Sequence, residues 1–416
     1  MEHPIASAET APGLAPASLS QPVFDLEKQY LLQNYGRYRL VLSRGKGCWL
    51  YDIDKRRYLD LISGIGVNSL GHAHPRIMRV IREQAGKLIH SSNLYYHEYQ
   101  GQLAKKLCET SGLQRVFFCN SGTESVEGAI KMVRSHGNHL NPEKIEMVAL
   151  ENSFHGRSMG ALSITGQPKY RKDFEPLLPG VRFVPFGASL AEVVNERTAG
   201  IFLETIQGEG GIYPIPEQRL REARELADKY DALLVFDEIQ CGIGRPGTHF
   251  AYQLHQPAVM PDIVTMAKPI ACGLPLGAIL SNERAAAAIA PGMHGTTFGG
   301  GPLACRVALE FYEILDELMP QMQRVGAYFF DGLSRLQKRF GSIKEVRGVC
   351  LMIGVELDFP CSHLVAEGMK EGLLFNVTHG NVIRMLPPYI ITEKEVDRAL
   401  HGLSRILKRA KPLPAV

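Results

Sequence analysis

The sequence lacks three features that would each point to a particular class of protein. It has almost no net charge, because 46 lysine and arginine residues face 43 aspartate and glutamate residues. A balance so close to zero predicts no nucleic-acid partner and no polybasic contact with a membrane. No apolar run approaches the roughly 18 residues that a membrane-spanning helix needs; the longest is AAAAIA at 285–290. We therefore expect no nucleic-acid or membrane function.

Paired cysteines are also missing. The eight cysteines form no CxxC pair, which favours reduced thiols that are mostly buried. The histidines of GHAHP at 71–75 have no cysteine or carboxylate nearby in sequence, so they predict a turn before a helix and no metal site. Residues 1–22 contain no lysine or arginine, unlike secretory or transit peptides. We interpret them as a disordered or strapping arm, and a cytoplasmic location follows.

Glycine is abundant, with 41 residues, which predicts many places where the backbone approaches something closely. From about residue 100, helical stretches alternate with short β-branched or aromatic runs such as EMVALE, AGIFLET and ALLVFDE. This alternation predicts an α/β fold with a mainly parallel sheet and helices on both faces. After about residue 305, long helical stretches and further strand-like runs predict a separate α+β lobe.

The segment SGTE at 121–124 follows a predicted strand and opens a predicted helix. Ser121 and Glu124 have the spacing of a capping box. The same segment suits an anion site, because the small Gly122, the Thr123 hydroxyl and free backbone N–H groups lie at the positive end of the helix. The sequence leaves both interpretations open.

Two further predicted strands end in acidic or basic side chains that are candidates for catalysis. Asp237 and Glu238 close the run LLVFDE, at the edge where parallel sheets place ligands. Lys268 follows DIVTMA, and prolines and a glycine after it exclude a long helix. A lysine there either extends to solvent or lies in a pocket, where burial lowers its pKa and makes it a nucleophile. The GIGRPG at 242–247 follows the acids and opens no clear helix, so we do not interpret it as a dinucleotide site.

Two loops complete the candidate set. FHGR at 154–157 is either a surface turn or a place where an aromatic face stacks on a ring while an arginine binds a carboxylate. HGTTFGG at 294–300 is either a plain turn or a source of hydroxyl donors for a phosphate. Taken together, the motifs predict a phosphate site, a stacking aromatic, an acid and a pocketed lysine. Pyridoxal 5′-phosphate (PLP) has the four matching parts.

The chain resembles the class III (subgroup II, fold type I) PLP-dependent aminotransferases over about residues 25–410. The resemblance is carried by NSGTESVEGAIKMVR, FHGRSMGALSITGQPKY, ETIQGEGGIYP, LLVFDEIQCGIGRPG, MAKPIACGLPLGA, HGTTFGGGPLAC and VIRMLPP. It implies a large PLP-binding domain at 71–304 and a small domain made of residues 23–70 and 305–416, preceded by the arm at 1–22.

The resemblance also implies roles toward the cofactor. Lys268 would hold it covalently and move a proton between it and the substrate, and Asp237 would pair with its ring nitrogen. The phosphate, the ring face and the ring hydroxyl would be contacted by Gly122 and Thr123, by Phe154 and by Gln240.

Toward the substrate, Arg157 would bind the distal carboxylate and Arg384 the α-carboxylate of glutamate. Glu209 would pair with Arg384 when the amino donor has no carboxylate at that end. Thr296 would lie near the substrate, and Thr297 would reach the phosphate of a neighbouring subunit in a homodimer with shared active sites.

The implied reaction moves the δ-amino group of N-acetylornithine to 2-oxoglutarate, as a step in arginine biosynthesis. Alternative donors are succinylornithine, ornithine and 4-aminobutyrate; the other classes considered are PLP-dependent isomerases and a non-catalytic cofactor-binding protein. The chain departs from the family pattern at Thr205, where proline is common, and at Cys272, where glycine is usual. Ile65 replaces a tyrosine that is implied to recognise free ornithine, which favours an acylated amine.

Overall fold

The structure is a computed structural model that describes residues 19–410, so residues 1–18 of the predicted arm lie outside the described residues. The strands, in chain order, are β1 (Leu42–Lys46), β2 (Trp49–Asp52), β3 (Arg57–Asp60), β4 (Arg115–Cys119), β5 (Glu146–Leu150), β6 (Val181–Val184), β7 (Thr198–Glu204), β8 (Ile206–Gln207), β9 (Tyr213–Pro214), β10 (Leu233–Asp237), β11 (Ile263–Met266), β12 (Gly277–Ser281), β13 (Ile343–Val349), β14 (Met352–Leu357), β15 (Leu373–Leu374), β16 (Asn376–Thr378) and β17 (Val382–Met385).

The helices, in the same order, are α1 (Gln21–Tyr30), α2 (Ser63–Gly66), α3 (Pro75–Ala85), α4 (Gln100–Ser111), α5 (Gly122–Leu140), α6 (Met159–Ser163), α7 (Pro168–Arg171), α8 (Glu217–Lys229), α9 (Glu283–Ala286), α10 (Pro302–Arg339), α11 (Leu364–Lys370) and α12 (Glu393–Arg409). Short 3₁₀ turns include Lys268–Ala271. None of the described helices has the length and apolar character needed to cross a bilayer.

A seven-stranded sheet organises the middle of the chain, in the order β4-β12-β11-β10-β7-β5-β6. The pairs among β11, β10, β7, β5 and β6 are parallel, and only β12 runs against its neighbours. Strands β5, β7, β10 and β11 are buried along their whole length, as strands covered on both faces are. The predicted α/β class with a mainly parallel sheet is confirmed.

Two smaller sheets flank this one. One has the order β13-β14-β17-β16, and the other has the order β1-β2-β3-β15. Strand β15 pairs in parallel with β3, so segments from both ends of the described chain share one sheet. The domain boundaries at residues 22, 70 and 304 stay a prediction.

Helix α10 joins the central sheet to the C-terminal sheet. It has 38 residues, which at 1.5 Å per residue gives a length of about 57 Å. One stripe of the helix is apolar and buried, including Phe311, Leu315 and Phe329, and it packs against α3, α4 and α12.

The segment GIGRPG forms turns, and no helix begins in it. Its arginine, Arg245, is 1% exposed. The guanidinium donates to the carbonyls of Leu351 (3.2 Å) and Pro387 (2.5 Å) and to the hydroxyl of Ser69 (2.9 Å). Arg245 therefore links the loop after β10 to the N-terminal segment and to the C-terminal sheet, through neutral acceptors alone.

Candidate active site

The predicted site residues converge because the strands of the central sheet that run in one direction end at one edge. Strand β10 ends at Asp237, β7 ends at Glu204, and Lys268 follows β11. The loop after β5 brings Phe154, and α5 begins just after β4. These ends surround a cavity of about 390 Å³. Of the predicted site residues, seven line it: Gly122, Thr123, Phe154, Arg157, Asp237, Gln240 and Lys268.

The start of α5 forms one end of the cavity. Gly122 and Thr123 are its first two residues, and their N–H groups have no acceptor within the helix. A Cβ on residue 122 would come within 2.9 Å of the Ile239 side chain, so a larger residue there would displace Ile239, which lines the cavity. The Thr123 hydroxyl lies 2.6 Å from that of Ser158. Free N–H groups and hydroxyls at the positive end of a helix fit a phosphate group.

The helix start differs from the predicted capping box in one respect. The Ser121 hydroxyl accepts from the N–H of Glu124 (3.3 Å), as expected. The Glu124 carboxylate accepts from the N–H of Asn120 (2.8 Å) and from its side-chain amide (2.9 Å), not from the N–H of Ser121. The reciprocal bond is therefore shifted by one residue toward β4.

Asp237 is 4% exposed and has a partner that the sequence analysis left without a role. Its Oδ2 lies 2.7 Å from Nδ1 of His155, and its Oδ1 accepts from the N–H of Ile239 (3.1 Å). Burial lowers the pKa of His155, but the hydrogen bond and charge of Asp237 outweigh it, so the pKa is raised. The pair therefore fixes the Asp237 carboxylate beside the buried His155 ring at a wall of the cavity, which both residues line.

Lys268 lines the same cavity from the end of β11. It has a φ of +38°, in the left-handed region that is unusual for a residue other than glycine. Burial lowers the pKa of its amine, and this effect outweighs the charges of Asp237 and Glu209. A lowered pKa increases the neutral fraction of the amine, the form that attacks carbonyls.

The loop after Lys268 explains why glycine is usual at position 272. Cys272 adopts a φ of +51°, which strains a side chain but not glycine. Gly273, which the chain retains, follows with a φ of +104°. The tight loop thus forms with one residue strained.

Arg384 and Glu209 form an ion pair next to Gln240. Arg384 is 1% exposed and donates to Oε1 of Glu209 (2.5 Å), Oε1 of Gln240 (3.0 Å) and Oδ1 of Asn376 (3.1 Å). Burial alone would raise the pKa of Glu209, but Arg384 lowers it. Since a buried unpaired cation is costly, the chain satisfies Arg384 with its own carboxylate.

The remaining predicted residues lie outside the cavity of this chain. Thr296 accepts from the Asn120 amide (3.1 Å) and lies close to the start of α5, whereas Thr297 is exposed. Ile65 is 41% exposed and belongs to α2, a single turn whose residues 63–66 all have positive φ, so this short element is not a right-handed α-helix. The roles given to these residues stay predictions.

Glu204 is a cavity residue that the sequence analysis did not select. Its carboxylate accepts from the N–H groups of Phe154 (2.9 Å) and Gly208 (3.1 Å), so it holds the loops of FHGR and QGEGG together. Burial, aided by the charge of Asp237, raises the pKa of Glu204 to about 7. An acid at the end of a buried parallel strand was the signal that could have identified it, as it identified Asp237.

The raised pKa of Glu204 predicts how stability changes with pH. Because the folded protein holds this proton more tightly than the unfolded chain, its stabilising effect is complete below the ordinary pKa of 4.5 and is lost as the pH rises through about 7. The loss amounts to about 3 kcal/mol at most. We expect the thermal midpoint to fall between about pH 5 and 7.5, and Glu204→Gln to flatten that fall.

The control in this experiment is internal. Burial also raises the pKa of Glu238 to about 7, so Glu238 contributes the same slope to both proteins. The difference in slope therefore isolates Glu204, whatever the absolute stability of the variant. An unchanged slope in Glu204→Gln would contradict the prediction.

The described residues do not provide side chains that together could bind a metal ion. Within residues 19–410, no group of three or more histidine, cysteine, aspartate or glutamate side chains could hold a metal ion. The histidine His72 of GHAHP instead lies 2.8 Å from Asp60, and the helix α3 follows the motif, as predicted.

This edge-of-sheet cavity, with its lysine, its buried acid and its helix start, places the protein in a known class. The family model for class-III aminotransferases matches residues 30–407, and the chain belongs to that family. It is 45% identical over 392 residues to the acetylornithine aminotransferase of Methanocaldococcus jannaschii, covering 93% of this chain and 98% of that protein.

Solved structures of aminotransferases also match this chain in fold. The ornithine aminotransferase of Toxoplasma gondii matches with a TM-score of 0.88 and 32% identity, covering 94% of this chain and 95% of that one. A second structure of that enzyme shows partial occupancy of PLP at its active site. The acetylornithine aminotransferase of Elizabethkingia anophelis matches with a TM-score of 0.82 and 30% identity, covering 94% and 99%.

Proposed function

We propose that this aminotransferase uses PLP to move the δ-amino group of N-acetylornithine to 2-oxoglutarate, giving N-acetylglutamate 5-semialdehyde and glutamate. The observation that carries the proposal is the Glu209–Arg384 pair at 2.5 Å beside the cavity. An arginine that the chain pairs with its own carboxylate suits an enzyme whose two amino donors differ at that end, because only one of them brings a carboxylate to the arginine. The names of the relatives support N-acetylornithine as one of these donors.

The residues present fit PLP. The start of α5 offers N–H groups and hydroxyls for a phosphate, and Phe154 and Ile239 line the cavity where a flat ring needs apolar contact. Asp237 offers a buried carboxylate for a ring nitrogen, and Lys268 offers an amine of lowered pKa for the aldehyde. When bound, PLP supplies an aldehyde that captures the amine and a ring that accepts electrons.

Residues of the chain would hold the cofactor's charge, transfer the proton and orient the substrate. Asp237, fixed by His155, would keep a ring nitrogen protonated, because a buried carboxylate stabilises a neighbouring cation. Lys268 would take up the proton from the substrate carbon that bears the amine and return it to the carbon of the cofactor's aldehyde group, on the other side of the amine nitrogen. Arg157 would orient the substrate by its distal carboxylate, since a guanidinium binds a carboxylate through two parallel hydrogen bonds.

A homodimer in the cytoplasm is part of the proposal. Thr297 is exposed, and neighbouring apolar side chains are exposed as well: Tyr96 at 103%, Leu94 at 85% and Phe298 at 68%. Apolar side chains that cluster at the surface favour a protein interface. A second subunit there would support the role of Thr297 at a partner's phosphate.

A panel of amino donors tests the reaction. Initial rates would be measured with N-acetylornithine, N-succinylornithine, ornithine and 4-aminobutyrate, each with 2-oxoglutarate as acceptor. We expect the highest kcat/KM with N-acetylornithine. A higher kcat/KM with ornithine or 4-aminobutyrate would refute the proposed donor but not the class of enzyme.

The variant Glu209→Ala tests the ion pair within the same panel. Arg384 would then be buried without a carboxylate both in the free enzyme and with N-acetylornithine bound. The α-carboxylate of glutamate would pair with Arg384 and recover about 1–3 kcal/mol, without having to displace Glu209, so we expect kcat/KM for glutamate to rise by about tenfold or more relative to that for N-acetylornithine. Equal changes with both donors would contradict the proposed exchange of carboxylates.

A further inference from the structure

The guanidinium of Arg157 is held by aromatic faces. Its central carbon lies 3.9 Å from the ring centroid of Tyr170 and 5.5 Å from that of Phe154. The two rings themselves meet edge to face, with centroids 5.9 Å apart and an angle of 83° between their planes. Arg157 therefore lies against an aromatic corner at the wall of the cavity.

Arg157 makes no hydrogen bond or ion pair with any residue between 19 and 410. Arg384, by contrast, donates to three acceptors. A cation–π contact places the guanidinium over the face of an aromatic ring and pairs none of its N–H groups with an oxygen or nitrogen acceptor, so these groups stay available for a carboxylate. The aromatic corner thus restrains the guanidinium of Arg157 without occupying the groups that bind a carboxylate.

Tyr170 is itself anchored to the loop that follows β5. It belongs to α7, and its N–H donates to the carbonyl of Gln167 (3.1 Å). The Gln167 side chain in turn donates to the carbonyl of Asn152 (3.2 Å), two residues before Phe154. The hydroxyl of Tyr170 makes no hydrogen bond with a described residue, so its contact with Arg157 is made by the ring alone.

We propose that Tyr170 is a positioning residue that determines selectivity for substrates with a distal carboxylate, by holding the guanidinium of Arg157 in the orientation that accepts it. The inference rests on the proposed function, which places a substrate carboxylate at Arg157. A long side chain held in place beforehand loses less conformational entropy when it binds, and this raises affinity. A mobile Arg157 binds the same carboxylate more weakly.

The test compares Tyr170→Leu, which removes the aromatic face, with Tyr170→Phe, which keeps it. Phe183→Leu is the matched control, because Phe183 carries a cation–π contact with Arg171 (4.2 Å) outside the cavity. Two measurements are made on the holoenzymes: steady-state constants with N-acetylornithine and 2-oxoglutarate, and the calorimetric Kd of glutarate, a dicarboxylate that cannot react. The single-turnover rate with n-butylamine, an amine without a carboxylate, is measured alongside.

We expect Tyr170→Leu to raise KM for both substrates and the Kd of glutarate by about threefold to tenfold, with kcat within about twofold. Tyr170→Phe and Phe183→Leu should match the parent enzyme, and the rate with n-butylamine should not change in any of them. Unchanged glutarate binding in Tyr170→Leu, or an equal loss with n-butylamine, would overturn the inference.

A fourth variant separates this inference from the proposed function. If Arg157→Met weakens glutarate binding and Tyr170→Leu does not, the inference is wrong while the role of Arg157 holds. If Arg157→Met leaves glutarate binding and both KM values unchanged, the proposed carboxylate site at Arg157 fails, and the inference fails with it.

Discussion

Turnover in Lys268→Ala is expected to fall by about 10⁴-fold or more, because the substitution removes a nucleophile and an acid–base group together. The visible absorbance band that depends on the covalent link between the cofactor and Lys268 should be lost as well, since the side chain that would form this link is gone. Stopped-flow absorbance and steady-state rates measure the two effects on the same sample. Normal turnover in this variant would refute the assignment of Lys268.

The chain offers a matched control for that experiment in Lys144. This lysine is also buried and has a pKa that burial lowers, but its ammonium donates to the carbonyls of Tyr230 (2.6 Å) and Glu196 (3.0 Å), away from the cavity. Lys144→Met should lower thermal stability and keep the cofactor absorbance. A loss of absorbance in both variants would mean that general destabilisation, and not the missing amine, is the cause.

Asp237→Asn should reduce kcat by about 10³-fold. A carboxylate about 3 Å from a cationic ring nitrogen, in surroundings with an effective dielectric constant of about 20, stabilises it by about 5 kcal/mol, and asparagine keeps the shape but loses the charge. The variant also leaves His155 buried without its anionic partner, so the pKa of His155 should fall. Single-turnover rates and the titration of His155 by NMR measure the two effects.

Asp262 is the matched control for Asp237. It is 3% exposed and lies just before β11, and it accepts from Arg224 (2.9 Å) and from the N–H of Leu234 (2.8 Å). Asp262→Asn therefore removes an equally buried charge from the opposite edge of the same sheet. We expect it to reduce stability while the rate per folded molecule stays near that of the parent. Similar rates for the two variants would contradict the assignment of Asp237 to the ring nitrogen of the cofactor.

The elements that the sequence could predict are those whose signal is local. Buried strands such as β7 and β10 are short apolar runs, and their ends identify one edge of the sheet. Asp237 and Lys268 were predicted because each follows such a strand directly. The fold class and the main cofactor-facing residues therefore come from patterns that are contiguous in the chain.

What the sequence could not predict depends on contacts between distant segments. The bond between His155 and Asp237 spans 82 positions, and the pair of Glu209 with Arg384 was implied only by the resemblance to a family. The aromatic corner around Arg157 depends on how α7 folds back on the loop after β5, which no periodicity encodes. At residues 63–66 the chain breaks the usual preference of isoleucine for negative φ, because Ile65 has a φ of +63° between two glycines, and no local pattern predicts this.

The links that Arg245 makes have a consequence for interpreting kinetic data. Its acceptors are two carbonyls and a serine hydroxyl, and none of these gains or loses a proton in the range where enzymes are assayed. Changes of pH therefore leave intact the contacts that Arg245 makes between the central sheet and the C-terminal segments. A change of rate with pH therefore does not arise from the loss of these Arg245 contacts.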